Sequence, residues 1–489
     1  MANNVIAELE PVHLWKRFYE ITQVPRPSKK EGKIRKHLKN LLHELNIEFK
    51  EDQIGNILAS VPAKSGFENS PTVVLQGHVD MVCEKNKDKD HDFENDPILV
   101  IKSDGWVTAD GTTLGSDNGI GVAAALATIT DPDVVHGPLE ILLTVDEETG
   151  LTGANNLKQG FVTGDYLLNM DSEEDGAFYV GCAGGIDTIG SFDIQTEKCD
   201  PAQSVYKLVI SGLKGGHSGL DIIAGRGNAI KILSRALNRL EKTDFSVASL
   251  DGGSLRNAIP REAEAILLIK DENFEFASKL INDFQNEMLH ELKSVDDGLK
   301  VVLKKSDSAI DLVYNKEFAK RIIHVLMALP HGVISMSADL DDLVETSTNL
   351  ATLKVNDGRL KIGTSQRSSV ESAKIYVKKS ISSIFELAGG KVEIGDGYPG
   401  WKPNMDSKLL KISTQVYREL FNEEPHIKAI HAGLECGILE SKKPGLDMIS
   451  FGPTILGAHS PDEKVNIKTV NKFYELLKGI LRKIAHSTN

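Results

Sequence analysis

Short apolar runs alternate with a helical stretch in the first part of the chain, and each run ends in a cluster of polar residues. The runs at 73–75, 141–145 and 166–168 read as buried strands, and the Ala-rich stretch at 120–129 reads as a helix. This alternation predicts an α/β fold whose sheet is mostly parallel and carries helices on both faces. Ligands of such sheets bind beyond the carboxyl ends of the strands, so the polar clusters are candidate functional residues.

The chain has 489 residues, which is too long for one ordinary domain. Its pattern changes after about residue 186, and a Gly- and Pro-rich segment at 389–403 predicts a second boundary. The tail then returns to a strand, a Gly/His/Pro loop and a final helix. We therefore expect residues 1–186 and 401–489 to form one α/β domain, interrupted by an inserted α+β domain at residues 187–400.

The order of elements within the insertion suggests an internal duplication. A helix at 229–240 is followed by strands and a second helix, and a similar order begins at the helix near 315–329, about 90 residues later. Asn257 and Asn349 fall at comparable places in the two halves.

The first 60 residues look helical. Ser28 and Glu31 have the spacing of a capping box, and apolar residues with helical period follow at 34–45. We expect a helix to begin at this pair.

Composition narrows the possible partners. The formal net charge of −14 argues against nucleic acid as a main partner and against an anionic membrane surface. The sequence has neither a secretory signal nor a stretch of 18 uninterrupted apolar residues, so no membrane span is expected. The four cysteines are scattered and form no CxxC pair, which favours the reduced thiols of a cytoplasmic protein.

Two of the polar clusters flank the Ala-rich helix and the strand before it. His78 and Asp80 follow the first strand at i and i+2, so the imidazole could bind a metal ion while the carboxylate orients the ring. The alternative is a solvated histidine beside a turn aspartate. Asp117 lies between Gly115 and Gly119 near the helix N-terminus, where a carboxylate is favoured. Taken alone, Asp117 is better explained as an N-cap or an Asx turn.

The remaining clusters add carboxylates and a second histidine. The acids at 146–148 end a buried strand and repel one another, which a cation would relieve. The side chains of adjacent residues in an extended chain point in opposite directions. Glu148 could therefore bind metal while Glu147 faces a bound water. The alternative is a solvated acidic turn. Asp171 lies closest to the end of the next strand. His459 lies in a Gly/Pro-bounded loop, although a lone loop histidine is usually not a ligand.

The set as a whole indicates a metal centre. Imidazole and carboxylate ligands without thiolates suit Zn²⁺, Mn²⁺ or Co²⁺. Five ligands are too many for one catalytic zinc ion, but they would serve two ions roughly 3.5–4 Å apart if one carboxylate bridges them.

Six motifs in order along the chain resemble those of the M20 family of metallopeptidases, and within it the aminoacyl-histidine dipeptidases. The motifs are QGHVDMV at 76–82, TLGSDNGIG at 113–121, TVDEETG at 144–150, NMDSEEDG at 169–176, GLKGGHSG at 212–219 and LGAHSPDE at 456–463. They span nearly the whole chain, and their combination is far more specific than any one of them.

The resemblance implies two divalent metal ions, most simply Zn²⁺, with Co²⁺ or Mn²⁺ as alternatives. The implied ligands are His78, Asp117, Glu148, Asp171 and His459. Asp117 would bridge, with His78 and Asp171 on one ion and Glu148 and His459 on the other. Asp80 resembles the residue that orients His78, and Glu147 resembles the general base that activates the bridging water.

The middle segment, about 187–400, matches the family's lid domain, through which a homodimer is common. His217 resembles a lid histidine that stabilises the oxyanion, and Asn257 and Arg367 match positions that contact substrate. The alternatives are a flexible-loop histidine for His217 and a solvated surface charge for Arg367. Glu435 resembles a subgroup residue near the substrate amine.

The resemblance implies hydrolysis of small peptides, preferentially Xaa-His dipeptides including β-alanyl-histidine. One alternative is another amidohydrolase of the same fold, such as an N-acyl amino acid deacylase or a tripeptide aminopeptidase. A second alternative is a metal-binding protein without catalysis, against which an intact Glu147 argues.

Overall fold

The computed structural model describes residues 5–487, which divide into two compact units. The first unit contains residues 5–181, 401–429 and 434–487, and the second contains residues 182–400 and 430–433. None of the described helices combines the length and apolar character needed to cross a membrane.

The helices and strands follow one another along three stretches of chain. Up to Cys182 they are α1 (Val12–Thr22), α2 (Gly32–Glu44), β1 (Glu48–Glu51), β2 (Ile57–Val61), β3 (Val73–His78), β4 (Val100–Ser103), β5 (Trp106–Ala109), α3 (Ser116–Thr130), β6 (Leu139–Thr144), α4 (Thr152–Asn156), β7 (Tyr166–Asn169) and β8 (Ala177–Cys182). The second unit then contributes β9 (Gly184–Asp193), β10 (Thr196–Lys198), β11 (Gln203–Ser211), β12 (Gly216–His217), a 3₁₀ turn (Ile222–Ala224), α5 (Ala229–Leu240), β13 (Phe245–Gly252), β14 (Ala258–Ile259), β15 (Ala263–Lys270), α6 (Asp271–Leu292), β16 (Lys300–Lys305), β17 (Leu312–Tyr314), α7 (Lys316–Ala328), β18 (Gly332–Met336), β19 (Val344–Asn356), β20 (Arg359–Ser368), α8 (Glu371–Leu387) and β21 (Lys391–Ile394). The last stretch holds α9 (Lys408–Phe421), β22 (His426–Ile430), α10 (Glu435–Lys442), β23 (Asp447–Ser450), β24 (Ile455–Leu456), β25 (Lys464–Asn466) and α11 (Ile467–Ala485).

An eight-stranded sheet organises the first unit, in the order β1-β2-β6-β3-β7-β23-β8-β22. Its centre is parallel, since β3 pairs in parallel with both β6 and β7, and β7 with β23. Towards the edges the pairings of β1 with β2, β2 with β6 and β23 with β8 are antiparallel. Every residue of β3 and β6 is buried, as expected for parallel strands covered on both faces. The sheet is therefore mixed, and the predicted mostly parallel arrangement holds only for its central strands.

The N-terminal segment differs from the helical expectation. Strands β1 and β2 follow α2, and α2 begins at Gly32 without a side-chain cap. The Ser28 hydroxyl instead donates to Asp80 (2.8 Å), and the Glu31 carboxylate accepts the backbone N–H groups of Lys29 (2.7 Å) and Asp146 (3.1 Å). The predicted capping box is wrong, because both side chains are used in other contacts, two of them with distant residues.

A nine-stranded antiparallel sheet organises the second unit. Its order is β16-β11-β15-β13-β19-β20-β9-β21, with β18 also paired to β19. The buried faces of α5, α6, α7 and α8 contribute to one apolar core with the sheet. The two halves of this sheet meet where β13 pairs with β19.

The predicted duplication is present in an interleaved form. One half runs β11-α5-β13-β15-α6-β16, and the other runs β9-α7-β19-β20-α8-β21, with the same order of strands from the centre outwards. Because β9 precedes the whole first half, one half is inserted into the other. Asn349 lies in β19 whereas Asn257 lies in the loop before β14, so these two residues do not correspond.

Candidate metal centre

Neighbouring parallel strands bring the sequence-predicted side chains to one edge of the first unit's sheet. His78 ends β3 and lies in register with Thr144, the last residue of β6, so the acids at 146–148 follow at the same edge. β7 is the other neighbour of β3 and ends at Asn169, two residues before Asp171. Parallel strands end at the same side, which explains why these segments converge.

Asp117 lies between two histidines. Its Oδ1 is 3.1 Å from His78 Nε2, and its Oδ2 is 3.2 Å from His459 Nε2. His78 Nε2 is also 3.2 Å from Asp171 Oδ1, and His459 Nε2 is 3.0 Å from Glu148 Oε2. The side chains thus form two groups that share Asp117, each with one imidazole and two carboxylates.

The backbone at Asp117 explains why this carboxylate is free to serve both groups. Gly115 is the N-cap of α3 and has a left-handed conformation, with φ of 71°. Asp117 itself has a non-helical backbone, and the helix has no side-chain cap hydrogen bond. The N-cap alternative considered from the sequence therefore does not apply.

A hairpin presents His459. Strands β24 and β25 pair in antiparallel fashion, and residues 457–463 form the loop between them. His459 has a positive φ of 62° within this loop, and its side chain is about half exposed. β25 also pairs with β5, which ties the hairpin to an antiparallel sheet of the first unit.

Asp80 is fully buried and makes more contacts than the sequence suggested. Its Oδ1 is 3.4 Å from His78 Nδ1, close enough to favour one orientation of the ring. The same carboxylate accepts the backbone N–H groups of Glu147 (3.1 Å) and Glu148 (3.3 Å) and the hydroxyl of Ser28 (2.8 Å). Asp80 therefore fixes the backbone of both glutamates and faces the imidazole of His78.

Burial and opposing charges shift the ionisation of this cluster. Burial alone would raise the pKa of Asp80, but His78 and the N–H of Glu147 outweigh it and lower the value to about 2. Burial opposes protonation of His78, yet Asp171 and Asp117 raise its pKa well above the usual range. Burial raises the pKa of Asp171 to about 6 and that of Glu147 well above its usual value. Metal binding would displace protons from the groups whose pKa is raised.

The donor set fits divalent metal ions. The buried oxygen Glu148 Oε1 has no hydrogen-bond partner among the described residues, and Asp171 Oδ1 faces His78 Nε2 at 3.2 Å without a hydrogen bond. Such oxygens are costly unless a cation or a donor meets them. Imidazole and carboxylate donors match Zn²⁺, Mn²⁺ and Co²⁺, and the residues present could hold two such ions sharing Asp117.

A buried polar network adjoins the cluster, and most of it was not anticipated from the sequence. Glu435 is fully buried and accepts hydrogen bonds from Gln76 Nε2 (2.6 Å) and Thr144 Oγ1 (2.7 Å). Burial raises the pKa of Glu435 to about 7. Gln76 in turn accepts a hydrogen bond from Asn169. In the sequence, the sign of this network was one polar residue in each of three buried strands: Gln76 in β3, Thr144 in β6 and Asn169 in β7.

The other three candidate residues lie in the second unit. His217 in β12 is in register with Ala258 of β14, next to Asn257, whose carbonyl accepts the N–H of Ser218 at 2.8 Å. Asn257 is exposed. A Cβ atom on Gly219 would lie 3.1 Å from His217 Cε1 and 3.3 Å from Arg367 Cδ, so both side chains lie against this glycine.

The surroundings of His217 fix its tautomer. Its Nδ1 accepts the backbone N–H groups of Gly219 (3.2 Å) and Leu220 (3.1 Å), so the neutral ring carries its proton on Nε2. Burial and the charge of Arg367 lower the pKa of His217. The ring is therefore a neutral hydrogen-bond donor at Nε2.

Arg367 in β20 is buried, with 7% of its surface exposed, so a solvated surface charge is ruled out. Its Nη1 donates to the hydroxyl of Tyr398 at 2.8 Å, while its buried Nε has no partner in the described structure. A buried guanidinium with a free donor is suited to binding a carboxylate.

A parallel-centred α/β sheet with two carboxylate-linked histidine groups at its strand ends is the arrangement of a metal-dependent hydrolase. A sequence model of peptidase family M20/M25/M40 matches residues 74–483, and the chain belongs to this family. The resemblance to M20 metallopeptidases is thereby confirmed, and the chain is an enzyme that hydrolyses peptides.

Individual relatives agree over nearly the full chain. The chain is 42% identical over 482 residues to the cytosol non-specific dipeptidase of Escherichia coli strain K12, covering 98% of this chain and 99% of that protein. The crystal structure of aminoacylhistidine dipeptidase from Vibrio alginolyticus superposes with a TM-score of 0.92 at 41% identity, covering 97% of both chains. A tripeptidase from Staphylococcus aureus has a TM-score of 0.56 at 18% identity, with 98% and 100% of the chains covered, which shows a shared fold only.

Proposed function

We propose that this enzyme is a dipeptidase that depends on two divalent metal ions, held by His78 and Asp171 on one side and by Glu148 and His459 on the other. The observation that carries the proposal is the position of Asp117, whose two oxygens each face one histidine. The proposed ions are Zn²⁺, with Co²⁺ or Mn²⁺ as alternatives, because the donors are imidazoles and carboxylates.

The chain's own residues account for the proton transfers. Two bound ions supply a polarised water and withdraw electrons from the scissile carbonyl. Glu147 accepts the proton of the attacking water and later delivers it to the leaving amine. Its backbone is fixed by Asp80, which supports a defined direction of approach. Burial raises the pKa of Glu147, as suits a group that both takes and gives a proton.

Residues of the second unit complete the proposal, in which this unit acts as the lid. His217 donates from Nε2 to the carbonyl oxygen as negative charge develops there, a role that its tautomer supports. Arg367 and Asn257 bind the C-terminal carboxylate of the substrate, which limits the enzyme to short peptides. The buried, partly unpaired guanidinium of Arg367 supports this assignment.

The preferred substrates in this proposal are Xaa-His dipeptides, including β-alanyl-histidine. The name of one relative, an aminoacylhistidine dipeptidase, supports the Xaa-His preference. The name of the other, a cytosol non-specific dipeptidase, supports dipeptides in general. The name of the Escherichia coli relative, a cytosol non-specific dipeptidase, also supports a cytoplasmic location. A homodimer formed through the second unit is carried over from the family resemblance.

The test is hydrolysis by protein stripped of metal and then refilled. The substrates are β-alanyl-histidine, several Xaa-His dipeptides, matched tripeptides and N-acetyl amino acids, each with Zn²⁺, Mn²⁺ or Co²⁺. We expect no turnover without metal, restored dipeptide hydrolysis with it, and little turnover of the other two classes. Metal-dependent cleavage of N-acetyl amino acids alone would replace the dipeptidase proposal with a deacylase. Full activity in the stripped protein would overturn the metal dependence.

A further inference from the structure

Outside the proposed ligands, one carboxylate accepts five hydrogen bonds from the short segment that carries Asp117. Glu463 Oε2 accepts the N–H groups of Leu114 and Gly115, both at 2.8 Å. Its Oε1 accepts the N–H (2.7 Å) and the hydroxyl (2.6 Å) of Ser116 and the N–H of Asp117 (3.3 Å). Four consecutive backbone amides thus converge on a side chain that is only 2% exposed.

These contacts fix the backbone from which the Asp117 side chain projects. The amides at the start of a helix lack partners within the helix and carry partial positive charge. A buried carboxylate is costly unless several donors satisfy it. Glu463 and the segment preceding the body of α3 therefore stabilise one another, and the last amide in the row belongs to Asp117.

Glu463 also belongs to the loop that carries His459. It is the last residue of the loop between β24 and β25, and its N–H donates to the carbonyl of Ser460 at 3.1 Å. Its own carbonyl accepts the hydroxyl of Thr108 at 2.7 Å. One residue thereby links the Asp117 segment to the His459 loop and anchors that loop to β5.

Arg26 holds the same segment from the other side. Its guanidinium donates to the carbonyls of Val79 (3.0 Å), Asp80 (2.8 Å) and Gly115. Arg26 is 2% exposed, and the negative charge of Glu463 opposes the lowering of the Arg26 pKa by burial. Both Arg26 and Glu463 contact the backbone of Gly115. A Cβ atom at this position would lie 2.3 Å from Arg26 Nη2, so a larger residue would clash.

We propose that Glu463, together with Arg26, which contacts the same segment at Gly115, is a positioning residue that sets Asp117 and His459 at the separation needed to share two metal ions. The inference rests on the two-metal function proposed above. Glu463 contacts neither the metal ions nor the substrate in this proposal, and it acts through the backbone of one ligand and the loop of another.

The test is the metal affinity of Glu463→Gln, measured with Zn²⁺ alone against a competing chelator. Glutamine keeps the shape but turns an NH₂ group towards backbone N–H donors, so part of the hydrogen-bond set is lost. We expect Zn²⁺ affinity to fall 10- to 100-fold, the usual effect of losing a residue that orients ligands. The absorption spectrum of the Co²⁺-loaded protein should also change, because it reports ligand geometry.

Glu140→Gln is the matched control. Glu140 is another buried carboxylate of the first unit, and it accepts the N–H groups of Thr163 (2.9 Å) and Gly164 (3.0 Å) at the opposite end of the parallel strands. The Glu140→Gln variant should keep wild-type Zn²⁺ affinity.

Ser116→Ala is a second, milder test variant. It removes one hydrogen bond to Glu463 with little risk to folding and should lower the Zn²⁺ affinity several-fold.

The outcomes separate this inference from the function on which it rests. Wild-type Zn²⁺ affinity in both Glu463→Gln and Ser116→Ala would overturn the positioning role alone. An equal loss in Glu463→Gln and Glu140→Gln would also overturn it, because the effect would then be general destabilisation. A wild-type chain that takes up no metal would overturn the two-metal proposal and this inference together.

Discussion

At the residue scale, Asp117 shows how a shared carboxylate depends on its neighbours. Its two oxygens each face one histidine, so a small rotation would lengthen one distance while shortening the other. Asp80 has the same double use, since it contacts His78 and also the backbone of Glu147. The geometry of this cluster therefore depends on side chains that position other side chains and the backbone.

Replacing Glu147 by glutamine tests its proposed role as the base. The amide has the same shape but cannot accept the proton, so we expect kcat for dipeptides to fall about 10²- to 10⁴-fold. Metal content should stay at the wild-type level, because Glu147 is not among the proposed ligands. Measuring both quantities on one preparation separates catalysis from metal binding. Near-normal kcat would remove Glu147 as the base.

Replacing Arg367 by alanine tests recognition of the substrate carboxylate. Loss of a charge-assisted hydrogen bond corresponds to about 1.5–3 kcal/mol, so KM for dipeptides should rise about 10- to 100-fold. Tyr398→Phe is a milder comparison, because it removes only the hydroxyl that Arg367 contacts.

A dipeptide amide provides the internal control for Arg367. It lacks the terminal carboxylate, so the wild-type enzyme should cleave it poorly and the alanine variant no worse. If Arg367→Ala reduces kcat/KM for the amide as much as for the free dipeptide, Arg367 does not recognise the carboxylate.

The sequence was informative about side chains that follow strands. His78 and Asp171 are recognisable because they follow buried strands, and Asp117 because it lies between glycines at the start of a helix. The structure brings the three side chains together. Gln76 and Glu435 make a direct hydrogen bond although they are 359 positions apart, so neither could be paired from spacing. The structural roles of such residues depend on tertiary contacts, which patterns in a single sequence do not reveal.

At the scale of elements, buried strands were predicted well and local caps were not. The continuous apolar runs of β3 and β6 leave few alternatives to a covered parallel strand. The capping-box pattern at Ser28 failed because tertiary hydrogen bonds to Asp80 and Asp146 replaced the local ones. The short strands β24 and β25 could not be read from two or three residues, yet they determine where His459 lies.

The inserted unit shows a similar limit. Element order was enough to suggest a repeat, since helices α5 and α7 begin corresponding series of strands and helices. The pattern could not show that β9, which precedes both series, pairs with β20 and completes the second half. Strand pairing over long separations depends on the assembled sheet.

At the scale of the whole molecule, the five proposed ligands all belong to the first unit. Metal binding should therefore stabilise this unit against unfolding, because the ions bind the folded centre and not the unfolded chain. All three tryptophans, Trp15, Trp106 and Trp401, also lie in this unit, so their fluorescence follows its unfolding.

We expect free Zn²⁺ at 100 times the dissociation constant to raise the free energy of unfolding by about 2.7 kcal/mol for each site. Urea unfolding followed by tryptophan fluorescence measures this change, and a chelator should reverse it. Hydrogen exchange should slow in β3 and α3 but not in α5 or β15 of the second unit. Equal slowing in both units would contradict a centre built from the first unit alone.

The interleaved order of strands also governs when each sheet can close during synthesis. β9 must wait for β20 to leave the ribosome, and β7 gains its neighbour β23 only after the entire inserted unit has been made. His459 follows later still, from a hairpin beyond that last central strand. A nascent chain, or a fragment cut within the insertion, therefore carries four of the five proposed ligands and lacks His459. We expect hydrolysis to begin only after this hairpin has been made.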